Sequence, residues 1–156
     1  MLNYKIKNAC GIHIDISSKA KSIFLEHRQI KATNKEACGI ILGGLVRHTN
    51  TIFIDECTAP GHLDQRHRFH YTMLDPQHQN SINKAFKDSN GFTNYLGIWH
   101  SHPEPHPIPS AIDMQDWKKA MMINSNILPA FVFVIVGTQS VSLFPYLNSQ
   151  YSETST

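Results

Sequence analysis

The sequence predicts an α+β fold: one mixed β-sheet flanked by about three helices. Three observations point there. Apolar runs of strand length recur along the chain, the densest being FVFVIVG from Phe131. Segments with helical spacing, opened by Ser or by Asp-Pro, lie between them. No internal repeat and no long linker divides the 156 residues, a length that suits one domain.

Gly11 to Ile16 alternates and predicts a strand. Ser17 or Ser18 then caps a predicted helix running to about Lys31, with Ile23, Phe24 and Ile30 in its apolar stripe. EACGIILGGLV, from Glu36, predicts a buried strand, and TIFIDECTA, from Thr51, its hairpin partner. Residues 60–72 are polar and rich in histidine. They predict a loop with a short strand around Phe69 and Tyr71. Asp75 to Ser89 opens on Asp-Pro and places Ile82, Ala85 and Phe86 at helical spacing. NYLGIWHSH predicts a strand that stops at Pro103, and Ser110 to Ile123 a helix. FVFVIVG predicts a strand buried on both faces, with SVSLFPY beside it. Residues 1–147 form the expected domain, and 148–156 a polar C-terminal tail.

Composition excludes several classes. Fourteen basic residues balance twelve acidic ones, for a net charge of +2, and no Lys/Arg block stands out. No nucleic-acid partner is expected. The longest apolar stretch, Phe131 to Val136, is too short to span a bilayer, so no membrane partner is expected. Cys10, Cys38 and Cys57 are odd in number, widely spaced and without a CxxC pair. They suit a reducing cytoplasm, Cys38 and Cys57 as small buried residues. The N-terminus has no clear cleavage site, and the expected location is cytoplasmic.

Ten histidines are the unusual count, and three fall within GIWHSHPEPHPIPSAID, residues 97–113. His100 and His102 are two apart on a predicted strand, so both rings point to one face. Pro103, Pro105, Pro107 and Pro109 follow, each fixing its own φ and restricting its predecessor. They predict a stiff return to a helix start carrying Ser110 and Asp113. Two imidazoles and a carboxylate with one open position is a catalytic zinc arrangement, in which the metal lowers the pKa of water to about 7. Plainer readings stand beside it. HxH also suits a pair of surface or core histidines. Ser110-Ala-Ile-Asp113 is nearly a capping box, which needs no metal. His106 reads as a solvated loop histidine, Glu104 as a loop carboxylate or a support for a ligand, and Trp99 as core. Residues 60–72 read equally as part of a substrate groove or as a solvated loop. Other HxH chemistries fit poorly. Metallo-β-lactamases need Asp-His soon after HxH, amidohydrolases a longer barrel, and cupins an all-β chain.

His100-Ser-His102-Pro followed by Ser110-x-x-Asp113, with the upstream Glu36-Ala-Cys-Gly, resembles the signature of the JAMM (MPN+, JAB-domain) zinc metalloproteases. The resemblance covers nearly the whole chain and implies a cytidine-deaminase-like MPN fold. The segment from Asp64 to Asp113 is similar to that of small bacterial JAMM peptidases of CBASS anti-phage operons and integrative elements. It implies Zn2+ as cofactor, His100, His102 and Asp113 as its ligands, Glu36 as general base and Ser110 as oxyanion donor. It further implies an isopeptidase that cuts after the extended C-terminal tail of a ubiquitin-like or conjugated protein. The expected substrate is a conjugate of a cGAS-like nucleotidyltransferase, and an E1–E2-like fusion enzyme is an expected partner. Such a tail can enter by adding a strand to a sheet edge. The chain leaves little room for the ubiquitin-holding insertions of eukaryotic relatives. A non-catalytic MPN scaffold would lack one or more ligands, and a metal-binding sensor or structural zinc site would need a fourth, for which His106 is the candidate.

Overall fold

The computed structural model describes residues 2–7 and 11–148. Cys10 and the tail expected beyond Asn148 lie outside the described residues. Among the described residues nine strands and three α-helices are present. In chain order they are β1 (Asn3–Ile6), β2 (His13–Ile16), α1 (Ser18–Glu26), β3 (Cys38–Val46), β4 (Thr51–Cys57), β5 (Gln65–Arg66), β6 (Tyr71–Thr72), α2 (Gln77–Asp88), β7 (Asn94–Ser101), α3 (Ala111–Ile123), β8 (Ala130–Val136) and β9 (Ser140–Leu147). Seven strands form one mixed sheet in the order β1-β9-β8-β7-β3-β4-β2, and β5 and β6 pair in a separate small hairpin. This is the α+β architecture that the sequence predicts.

Both hairpins are antiparallel as expected, β3 with β4 and β8 with β9. β8 is buried on both faces because each face has its own core. Val132, Val134 and Val136 pack with Phe24 and Ala20 of α1, while Phe131, Phe133 and Ile135 pack with Trp117 of α3. Central β7 runs antiparallel to β3 and parallel to β8. Its register slips by one residue: Ile41 faces Gly97 and Leu42 faces Tyr95, leaving Leu96 as a bulge. The slip lets Leu96 and Trp99 both face the α1 core, although their parity differs. Beyond it Ile98 faces the α3 core, and His100 shares that parity. The strand thus aims its histidine face toward the start of α3.

The structure corrects several boundaries. β1 was not expected: four residues with two lysine-flanked apolar positions carry little pattern, and its parallel pairing with β9 supplies the order. Helix α1 ends at Glu26 rather than near Lys31. Gln29 turns inward, 2% exposed, and Ile30 lies outside at 59%. Asn34 Oδ1 accepts from Lys31 N, closing a turn where the helix was expected to continue. Glu36 precedes β3 instead of opening it. Phe86, assigned to the apolar stripe of α2, is exposed. Gly39, within the Glu-Ala-Cys-Gly stretch, is needed for close approach. A Cβ there would stand 2.0 Å from Thr58 O and 2.4 Å from Trp99 Nε1.

Candidate metal centre and active site

The strand end and the helix start are brought together by the proline-rich return. Its carbonyls are used as acceptors even where prolines lack donors. Thr138 N donates to Glu104 O at 2.8 Å, Ser140 N to Pro105 O at 3.0 Å, and Ser142 Oγ to Pro107 O at 3.1 Å. The return is therefore pinned along the β8–β9 turn and β9. It delivers Ser110 as the N-cap of α3, in a complete capping box. Ser110 Oγ accepts from Asp113 N at 3.0 Å, and Asp113 Oδ2 accepts from Ser110 N at 2.9 Å. The capping reading and the site reading hold together. The same carboxylate that caps the helix lies 3.2 Å from His100 Nε2 through Oδ1 and 3.3 Å from His102 Nε2 through Oδ2.

The two imidazoles face each other, with Nε2 atoms 3.0 Å apart. Glu36 Oε1 stands 3.9 Å from His100 Nε2. Ligand atoms of Glu36, His100 and His102 all lie within 4.8 Å of one another, so this group could hold a metal ion. Asp113 is the carboxylate in closest contact with both rings, and it completes a four-residue cluster. His102 Nδ1 pairs with Glu104 Oε1 at 2.7 Å. That bond places a proton on Nδ1 and turns Nε2 inward. Glu104 is thus a support for His102, one of the two readings the sequence left open. His100 Nδ1 is buried with no hydrogen-bond partner among the described residues. Two imidazole nitrogens and carboxylate oxygens converging on one point match the donor chemistry of a zinc site. A cation there would take the place of the protons through which the two Nε2 atoms meet Asp113.

Electrostatics follow burial and partners. Burial pushes the fully buried His100 imidazole down, against the pull of Asp113, and favours the neutral ring a metal needs. For His102 burial also pushes down, but hydrogen bonds to Asp113 and Glu104 outweigh it and the net shift is upward. Burial works against the Asp113 carboxylate too, yet hydrogen bonds from both histidines hold it far below the usual range. The Glu36 carboxyl is pushed up to about 7 by burial, with the His102 charge opposing and the Asp113 charge adding.

The Glu36 shift predicts a pH effect on metal-free protein. The unfolded chain ionises this group from about 4.5, whereas the folded chain keeps its proton to about 7. The folded state binds more protons in that window, so this group's contribution to stability falls as pH rises through it. Glu36→Gln carries no charge to bury. In chelator-treated protein its Tm by calorimetry should match wild type below about pH 4.5 and exceed it above about pH 7. Equal Tm values at both ends would contradict this.

A network that the motif did not reveal fixes Glu36. Ser101 Oγ, fully buried between the two histidines, donates to Gln29 Oε1 at 2.7 Å and accepts from Ala37 N at 2.8 Å. Glu36 N donates to His67 O at 2.7 Å, and Arg66 Nε donates to Glu36 O at 2.8 Å. The β5–β6 hairpin therefore grips the main chain of Glu36 from the far side. In the sequence only the short strand read near Tyr71 hinted at it. Tyr71 packs against His100 with the rings tilted, centroids 5.4 Å apart. Phe69, His70 and Tyr71 join Glu36, His102, Ser110 and Asp113 around one cavity of about 460 Å3. The groove reading of residues 60–72 thus fits the hairpin, while His62 and Leu63 remain exposed. His106 turns away to Ser140 Oγ at 3.0 Å and brings no third histidine to the cluster. Trp99 is core, with Nε1 donating to Thr58 O. Cys38 is buried and Cys57 half-buried, both as free thiols outside the cluster.

The family model described as prokaryotic homologs of the JAB domain matches residues 18–147. The chain belongs to this JAB family. All the clustered side chains lie within the matched JAB segment. A curated relative from Escherichia coli, named CD-NTase/cGAS isopeptidase, is 32% identical over 129 residues, spanning 83% of this chain and 79% of its own. A Vibrio cholerae relative of the same name is 33% identical over 104 residues, spanning 67% and 65%. A solution structure from Desulfitobacterium hafniense superposes with TM-score 0.53 at 24% identity, covering 80% of this chain and 74% of that one. It shares the fold. No helix among the described residues is long and apolar enough to cross a membrane.

Proposed function

We propose that this JAB protein is a zinc-dependent isopeptidase that releases a cGAS-like nucleotidyltransferase from its conjugates in anti-phage defence. The observation that carries the reading is the convergence of His100 and His102 Nε2 with the Asp113 and Glu36 carboxylates at one end of the cavity. The names of the relatives, CD-NTase/cGAS isopeptidases, support the substrate. Residues 1–147 form the catalytic domain, 148–156 a polar tail, and the enzyme works in the cytoplasm.

His100, His102 and Asp113 would hold the ion, and Glu104 orients His102. A zinc ion there would supply Lewis acidity to the scissile carbonyl and to the attacking water. Glu36 takes the proton of that water as it attacks and passes it to the departing amine. A carboxyl raised toward neutrality suits both transfers. Its place beside the histidines, gripped through its main chain, keeps it within reach of the cluster. The Ser110 hydroxyl, whose oxygen accepts from Asp113 N, keeps its proton available for the developing oxyanion. The extended tail enters past Phe69 and Tyr71, its carbonyl toward Ser110. The new carboxylate and the free amine then leave.

The test is cleavage of a fusion bearing the nucleotidyltransferase tail, beside a ubiquitin fusion, with and without chelator. Chelator-sensitive cleavage of the tail fusion alone is expected. Cleavage of neither by zinc-loaded protein would contradict the proposed substrate. An operon-encoded E1–E2-like fusion enzyme is the expected maker of the conjugate.

A further inference from the structure

The cavity over the metal centre has apolar walls that the bond-cutting chemistry does not use. Phe69 is 74% exposed and Ile112 67% exposed, and both line it. They come from different elements, the hairpin tip and the first turn of α3. Phe69 is also held in place. The Arg68 guanidinium lies 5.4 Å from its ring centroid and donates to Ala32 O at 2.7 Å and Lys31 O at 3.2 Å. The Arg68 main chain is anchored as well, its carbonyl accepting from Gln29 Nε2 at 2.9 Å. An aromatic ring kept out in water by an anchored cation is a preorganised contact. The same cavity carries Asp116, and Glu104, whose Oε1 meets His102 Nδ1 at 2.7 Å. These carboxylates repel an acidic occupant.

We infer that Phe69, held by Arg68 and working with Ile112, is the specificity contact of this site. It receives an apolar side chain of an extended substrate segment next to the bond to be cut, while Glu104 and Asp116 exclude an acidic one. The inference rests on the isopeptidase reading for the bond, but adds which segment is recognised.

Binding separates the two. Labelled Gly/Ser peptides with Leu, Ala or Asp at one position in turn would be titrated onto zinc-loaded Glu36→Gln protein by fluorescence anisotropy. Leu at one position should bind about tenfold tighter than Ala, and Asp weakest. Adding Phe69→Ala should erase the Leu preference, Phe69→Leu should keep most of it, and zinc content should stay the same throughout. In turnover, Phe69→Ala should raise KM about tenfold with kcat little changed. A Leu preference that survives Phe69→Ala, or no binding of any peptide, would overturn the inference. Leu-selective binding without turnover of any conjugate by wild type would uphold it and overturn the isopeptidase reading. Turnover with equal KM in wild type and Phe69→Ala would do the reverse.

Discussion

Replacing Glu36 with alanine is expected to leave one zinc bound and to lower kcat by about a thousandfold, within the range attributed to general acid–base catalysis. The zinc ligands of this account are His100, His102 and Asp113, and Asp113 lies at 3.2 and 3.3 Å from the two rings. Glu36 is farther, 3.9 Å from His100 Nε2, and its raised carboxyl suits a proton carrier better than a ligand. Metal analysis and single-turnover kinetics on one sample check this. Full activity in Glu36→Ala would remove the proposed base. Loss of zinc with loss of activity would instead make Glu36 a ligand, as its place within 4.8 Å of both histidines permits.

Replacing His102 with alanine is expected to abolish both stoichiometric zinc and turnover. The substitution removes one of two imidazoles and leaves Glu104 without its partner at 2.7 Å. Removing a ligand costs far more than removing its support, which typically costs about 10–100-fold in affinity. The capping box of α3 does not involve His102, so the fold should persist by circular dichroism. A His102→Ala protein that keeps a full equivalent of zinc would take His102 off the ligand set.

Much of this site was legible because its geometry is local. His100 lies on β7 and His102 just past its end, two residues apart as the motif spaces them, while Ser110 and Asp113 meet through a helix N-terminus. Strands buried on both faces, such as β8, announce themselves as unbroken apolar runs. What was hidden depends on distant pairing. Edge strand β1 exists through β9, and the bulge at Leu96 through the mismatch of β7 with β3. Gln29 looked like a helical residue because its spacing fits one. Its amide instead joins Ser101, Asn34 and Arg68, three segments that meet only in the folded chain. Glu36 could be matched by motif, but the grip of Arg66 and His67 on its main chain carries no sequence spacing. Glu104 gave no periodic signal either, since its contact with His102 arises from the turn at Pro103.

The most direct test of the central claim is metal removal and return on one preparation. Cleavage of the tail conjugate would be followed before chelation, after it, and after adding back one equivalent of zinc, with bound metal measured each time. The account predicts loss of activity with the metal and recovery on its return, with neither step changing the circular dichroism spectrum. Undiminished cleavage by protein shown to be metal-free would contradict it.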